Sequence, residues 1–388
     1  MATILFVMFP EMGHTNASFK IAKDLKARKH DVWYLAIPDF EQHIRSQGLE
    51  VRRLFANLYP DGFAQALASQ GPNLETAEAI QTLLEAKLRG KRSAMDVIQE
   101  EIEGSLENIR PDAVIIDTLL PEVALMCGDA CATVFMSTNF DNHIDESGHF
   151  AYKYVRHIPE LILCPEEFDL PRPRDFNRRY YYVEASVDVG RVEQPFPWRL
   201  LDSEKDLIYC SLGSQARLHE GSGRLLQTIV DAMAARPRLQ MVLATGKHLG
   251  GDRFHDVPPN VVMIDVAPQM EILKAASLMI GHGGLNSVKE AIYFGVPLIS
   301  FPLLRDQPMN AARIERHRLG LRGDIRNASV ESVGQLIDAV MQDKAYRLRA
   351  ESMSRRFRAS EASCIGAGLI ESLLNERRPA LAEHALVS

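Results

Sequence analysis

The sequence predicts an α/β protein made of two doubly wound, Rossmann-like domains facing each other across a cleft. Three observations predict it. Strand-length apolar runs alternate with amphipathic helical stretches, the alternation breaks at one proline-rich segment, and it then restarts. A chain of 388 residues is long enough for two such domains. Their expected extents are 1–200 and 201–388, with the C-terminal helix free to return to the first domain.

Residues 4–9 form an uninterrupted apolar run of strand length. Gly13 and His14 follow as a turn, and Asn16 is placed to cap a helix whose apolar stripe runs through Phe19, Ala22 and Leu25. A second strand at 31–37 completes a βαβ unit. Residues 76–110 read as mostly helical, Pro111 stops them, and 113–116 is a short buried strand. A helix over 122–129 and a strand over 132–136 continue the alternation. Pro165, Pro171, Pro173, Pro195 and Pro197 then crowd a segment that reads as the loop-rich join between domains. A second α/β unit starts with the strand 207–212 and a helix near 224–235. Further strands are expected at 241–245, 261–266, 278–280 and 298–301, with a helical tail over 344–375.

Composition excludes several classes of function. Hydrophobic residues make up 46% and charged residues 24%, which is ordinary for a globular protein. The formal net charge is -7, and Arg178-Arg179 and Arg355-Arg356 are only short pairs. Nucleic-acid binding needs a basic face, so it is not expected. The five cysteines contain no C-x-x-C spacing, which speaks against a metal site or a disulfide framework. Cys210, inside an apolar strand, reads as a buried free thiol in a reducing cytoplasm. No signal-like leader and no run of 18 apolar residues occurs, so a cytoplasmic protein without stable membrane insertion is expected.

The functional signal is concentrated at the ends of two strands, where ligands bind in such sheets. The stretch 281–313 reads GHGGLNSVKEAIYFGVPLISFPLLRDQPMNAAR. Its glycines let a ligand approach the backbone, and the helix that follows presents free N–H groups to an anion. Asn286 and Ser287 add side-chain donors, and His282 adds one that can be cationic. A purely structural reading of Ser287 and Glu290, which have capping-box spacing, stays open.

This stretch resembles the donor-binding signature of family-one nucleotide-sugar glycosyltransferases, a group that includes plant secondary-metabolite, bacterial antibiotic and macrolide, and carotenoid glycosyltransferases. The H-G-G-x-N-S-x-x-E core, G-V-P and D-Q-x-x-N-A-x-R occur in order and at family spacing. The resemblance implies the GT-B architecture and transfer of a sugar, glucose or a deoxysugar, from a UDP- or dTDP-linked donor. It implies that His282, Gly283, Gly284, Asn286 and Ser287 meet the diphosphate. Glu290 would meet the ribose hydroxyls, and Asp306 and Gln307 the sugar. Asp265-Val266-Ala267-Pro268-Gln269 is similar to the family's nucleobase segment, with Val266 and Ala267 at the base and Gln269 near the ribose. Ser214, in Ser211-Leu212-Gly213-Ser214, would also face phosphate. Val266 stands where the family often stacks an aromatic ring, which leaves uracil and thymine both open.

Transfer to a hydroxyl requires a general base. His14 matches the family's catalytic histidine, although Ala17 replaces the proline of its G-H-x-x-P turn, and Asp117 matches the orienting aspartate. The implied reaction is a single inverting displacement. No cofactor is expected beyond the nucleotide-sugar co-substrate, and no metal, since no D-x-D pair occurs. The acceptor implied by resemblance is a small hydrophobic natural product, as in antibiotic biosynthesis. Phe55, Leu58, Tyr59, Phe63, Phe140, Phe150, Tyr152, Tyr154 and Tyr180-Tyr181-Tyr182 are candidate lining for it. Three other readings are a nucleotide-sugar epimerase, an inactive auxiliary nucleotide-sugar-binding protein, and a lipid-acceptor transferase. The last would want a basic amphipathic anchor, and none is seen. Oligomeric state is not legible.

Overall fold

The computed structural model describes residues 1–69, 76–128, 130–138, 140, 157–171, 179–213, 221–246 and 254–384. The chain divides into two compact units. Unit 1 comprises Met1–Glu166, Pro171–Asp188 and Ser360–Ser388, and unit 2 comprises Glu167–Leu170 and Val189–Ala359.

Unit 1 holds a seven-stranded parallel sheet. Its strands are β1 (Thr3–Val7), β2 (Asp31–Ala36), β3 (Glu50–Arg53), β4 (Ala113–Asp117), β5 (Ala132–Ser137), β6 (Glu160–Ile162) and β7 (Tyr180–Tyr182), in spatial order β3-β2-β1-β4-β5-β6-β7. Ile4, Leu5 and Phe6 of β1 are wholly buried, as the apolar run requires of a central parallel strand. The helices are α1 (Met12–Ala27), α2 (Pro38–Ser46), α3 (Phe63–Ser69), α4 (Thr76–Leu88), α5 (Ala94–Ile109) and α6 (Pro121–Cys127).

Unit 2 repeats the plan with six parallel strands. These are β8 (Asp206–Ser211), β9 (Leu239–Ala244), β10 (Val261–Ile264), β11 (Ala276–Gly281), β12 (Leu298–Ser300) and β13 (Gly320–Arg322), in spatial order β10-β9-β8-β11-β12-β13. Its helices are α7 (Ser222–Ala234), α8 (Gln269–Ala275), α9 (Leu285–Tyr293), α10 (Gln307–Arg316) and α11 (Val330–Gln342). Then α12 (Lys344–Ser363) stops at Cys364, whose φ of 47° is left-handed, and α13 (Ile365–His384) follows. Ala367, Ile370 and Leu374 of α13 are part of the core of unit 1.

Several sequence expectations are corrected here. The first helix begins at Met12 with Glu11 as its N-cap, so Asn16 lies inside α1. Asn16 Oδ1 instead meets His43 Nε2 at 2.7 Å. The region 76–110 is mostly helical as expected, in two helices, α4 and α5. β3, β6, β7 and β13, each three or four residues long, were not foreseen, and β7 lies within the segment read as a loop-rich join.

In both sheets the strand order reverses beside the first strand of the unit, between β1 and β4 and between β8 and β11. Successive crossovers there run to opposite faces of the sheet, and this opens a crevice beyond the carboxyl ends of those two strands. Among the described residues, no helix is long and apolar enough to cross a membrane.

Candidate active site

In unit 1, β1 runs beside β4 with Val7 opposite Ile116. That register brings the loop after β1 to the last residue of β4, which is Asp117. His14 sits in the first turn of α1, and its Nδ1 lies 2.7 Å from Asp117 Oδ2. Both side chains are buried. Asp117 Oδ1 also accepts from the backbone N–H of Leu119 at 3.0 Å, and Oδ2 from that of Phe9 at 3.4 Å. The carboxylate is thus fixed from three directions, which compensates its burial. Thr138 Oγ1 lies 2.9 Å from the same His14 Nδ1 and further limits rotation of the ring. With Nδ1 donating to Asp117, the lone pair of the imidazole resides on Nε2, and that atom can take a proton.

Beside this pair lies a cavity of about 210 Å³. It opens over the carboxyl ends of β1 and β2, at Val7, Met8, Leu35 and Ala36, and it reaches Pro10 and Thr15 on either side of His14. Phe55 and Phe63 line it, as do Ile98 and Ile102 of α5 and Val123 and Met126 of α6. Its few polar groups include Tyr34, Gln81 and Glu122. Of the other aromatic candidates, Tyr59 packs edge-on against Phe63 and donates its hydroxyl to the Leu83 carbonyl. Leu58 packs on the core and Phe140 is buried. Tyr180, Tyr181 and Tyr182 are the edge strand β7, while Phe150, Tyr152 and Tyr154 lie outside the described residues.

In unit 2, β11 ends at Gly281, and the loop 282–284 leads into α9, whose N-cap is Gly284. The His282 ring is wedged between two glycines. A Cβ at Gly213 would lie 2.6 Å from its Cε1, and one at Gly284 2.5 Å from its Nε2. Gly283 has φ of +84°, and a Cβ there would meet Ser300 Oγ at 2.5 Å. Only glycine fits at these three positions. The first turn of α9, with Asn286 and Ser287, presents its N–H groups at the carboxyl end of the sheet. Ser214 lies outside the described residues.

His282 is not cationic, contrary to expectation. Burial pushes its pKa down to about 4, and Nδ1 is sealed from solvent without a hydrogen-bond partner. The ring can still donate one N–H, as a neutral group. The capping-box reading of Ser287 and Glu290 is also overturned, because the N-cap of α9 is Gly284 and no side chain caps the helix. Both residues belong instead to a buried polar network. Gln269, the first residue of α8, donates through Nε2 to Ser287 Oγ at 3.3 Å and to Glu290 Oε2. The Tyr209 hydroxyl donates to Gln269 Oε1 at 3.1 Å, and Arg191 Nη1 donates to Glu290 Oε1 at 2.7 Å. Val266 is exposed in the bend after β10, with Ala267 beside it, and no ring is stacked there by the sequence.

A second network places Asp306 and Gln307 at the start of α10. Gln307 Oε1 accepts from the backbone N–H groups of Leu303 and Leu304 and so fixes the loop after β12. Asn310 Nδ2 donates to Asp306 Oδ2 at 2.8 Å and to the Gly283 carbonyl at 2.9 Å, tying the glycine loop to Asp306. Arg313 Nη1 donates to Asn310 Oδ1, and its Nε and Nη2 donate to Asp169 Oδ1. Asp169 belongs to the short piece Glu167–Leu170, which the chain contributes to unit 2 ahead of the rest. Sequence reasoning missed Thr138, Asp169, Arg191 and Tyr209. Only Asn310 and Arg313, inside the matched motif, carried a signal.

The family model for UDP-glucoronosyl and UDP-glucosyl transferase matches residues 160–359. The chain belongs to that family. Among its relatives, an uncharacterized UDP-glucosyltransferase, YojK, from Bacillus subtilis is 24% identical over 94% of this chain and 95% of its own. The demethyllactenocin mycarosyltransferase of Streptomyces fradiae is 24% identical over 97% of this chain and 87% of its own. The glycosyltransferase VinC, solved in complex with dTDP, superposes with a TM-score of 0.72 at 16% identity, covering 96% of this chain and 100% of that one. The architecture of this glycosyltransferase is GT-B, and its donor is a nucleotide-sugar.

Two outcomes are expected. The folded protein holds His282 neutral down to about 4, against an ordinary 6.5, so between these values protons bind only the unfolded chain. The contribution of His282 to stability is therefore full above 6.5 and is lost as pH falls toward 4, by roughly 1–3 kcal/mol, since the residue as a whole is only half-buried. Melting curves of the wild type and His282→Gln across that window check this, and equally steep acid loss in both would contradict it. Asp169→Ala removes the carboxylate that Nε and Nη2 of the buried Arg313 both reach, and should cost about 3–5 kcal/mol in denaturant unfolding. An unchanged midpoint would show that the segment does not anchor α10.

Proposed function

We propose that this enzyme is an inverting, metal-independent transferase that moves a hexose from a UDP- or dTDP-sugar to the hydroxyl of a small hydrophobic acceptor. The observation that carries the proposal is the His14–Asp117 pair at the switch point of unit 1, next to an apolar cavity. In this reading unit 1 holds the acceptor and unit 2 the donor.

The acceptor lies in the cavity with its hydroxyl at His14 Nε2. As the acceptor oxygen forms its bond to the anomeric carbon, its proton passes to Nε2, and Asp117 stabilises the imidazolium through Nδ1–H. The bond from the anomeric carbon to the diphosphate oxygen breaks on the opposite face, so the configuration inverts and the nucleoside diphosphate leaves. Its negative charge meets the first turn of α9 and a neutral N–H of His282, aimed before the reaction begins. Asp306 and Gln307 hold the sugar hydroxyls, Glu290 and Gln269 the ribose, and Val266 and Ala267 the base. The relatives support both nucleotides, since one is named a UDP-glucosyltransferase and another was solved with dTDP. The mycarosyltransferase and the apolar cavity support a natural-product acceptor.

Calorimetry with UDP, dTDP and their glucose conjugates, in chelator, tests the donor half together with His14→Ala. The expected result is metal-free binding of at least one nucleotide, retained in the variant, with transfer lost by a factor of about 10² to 10⁴. Turnover of His14→Ala at the wild-type rate would remove the base. Failure of all four ligands to bind would favour an auxiliary protein without a working donor site.

A further inference from the structure

The segment that enters unit 2 at Val189 carries two charged residues whose place in the fold the proposed reaction does not use. Arg191 and Glu193 are both largely buried, although they lie inside the proline-rich segment read as a join. Arg191 Nε and Nη2 lie 3.2 and 2.7 Å from Glu193 Oε1, a two-pronged contact that orients the guanidinium. Glu193 Oε2 in turn accepts from the backbone N–H of Met270 in α8, at 3.0 Å. With its position so fixed, Arg191 presents Nη1 to Glu290 Oε1 at 2.7 Å.

A carboxylate offers about four acceptor positions, two on each oxygen. In Glu290 one position on Oε1 is taken by Arg191 and one on Oε2 by Gln269. One position on each oxygen is left, a pattern that matches a vicinal diol donating two O–H groups. Burial alone would weaken the charge on Arg191, but Glu290 and Glu193 outweigh it and keep the guanidinium protonated.

We propose that Arg191, braced by Glu193, is a positioning residue that holds the Glu290 carboxylate for the 2′- and 3′-hydroxyls of the donor, and so selects a ribonucleoside diphosphate over its 2′-deoxy counterpart. This rests on the assignment of Glu290 to the ribose and narrows the donor from UDP or dTDP to the UDP type. A 2′-deoxynucleotide satisfies only one of the two remaining acceptor positions and leaves the other desolvated.

The test is calorimetric titration of the full-length protein with UDP and 2′-deoxy-UDP, which share a base. One hydrogen bond to a charged group corresponds to about a tenfold preference for UDP in the wild type. Arg191→Met, close in volume and uncharged, should bring the ratio toward one, and Arg191→Lys should retain part of it. Affinity for inorganic pyrophosphate, which lacks the ribose, should change little in either variant. Should Arg191→Met not fold, the wild-type ratio and Arg191→Lys still decide. Equal wild-type affinities for UDP and 2′-deoxy-UDP, or an undiminished ratio in a folded Arg191→Met, would overturn the inference while leaving the donor site in place. Failure of the wild type to bind UDP, dTDP or pyrophosphate would instead overturn the donor reading itself.

Discussion

The hydrogen bond between His14 Nδ1 and Asp117 Oδ2 spans 103 positions of sequence, and it exists only because β1 and β4 are neighbours in the sheet. Any other strand order would leave a buried carboxylate without its partner at the end of β4. The backbone N–H groups of Phe9 and Leu119 complete the site, so that the carboxylate is held by the two loops it joins. A parallel sheet thus turns two separate strand ends into one oriented histidine–carboxylate pair. The same order in unit 2 sets Gly213, at the end of β8, against His282, at the end of β11. There the contact is steric rather than ionic, and the product is a crowded, glycine-lined turn ahead of a helix N-terminus.

The two strand ends handle charge differently. In unit 1 a carboxylate is buried and compensated, which suits a histidine that gains positive charge during proton transfer. In unit 2 the histidine is held neutral, and under the proposed reaction it is the N–H groups and dipole of the α9 N-terminus that meet the anion. An overall charge of -7 is no obstacle to an anionic ligand under this arrangement, since the field that matters is local.

The long central strands were legible because they are buried on both faces and read as continuous apolar runs, as at 4–9 and 207–212. The edge strands were not. In β3 only Val51 is buried, and three or four residues are too few for a period to show. Asn16 drew the helix start inward because its side chain is a good cap, yet the chain was already helical from Met12, and His14 entered α1 rather than a turn. The site followed the same division. His14, Asp117, His282 and Glu290 lie at strand ends or in the matched motif and could be named. Arg191 and Asp169 could not, because each is a single charged residue in a proline-rich segment, and its partner is fixed by tertiary packing alone. The cationic reading of His282 failed for a related reason, since burial of a ring between Gly213 and Gly284 leaves no trace in local composition.

The central claim is that Asp117 fixes the tautomer of His14, so that Nε2 carries the lone pair. Nitrogen-15 NMR of the imidazole in selectively labelled protein reads this directly. The account predicts a neutral ring with the proton on Nδ1 in the wild type, shifting to the other tautomer in Asp117→Asn. A proton on Nε2 in the wild-type neutral ring would contradict it, because the ring would then have no free base to offer an acceptor hydroxyl.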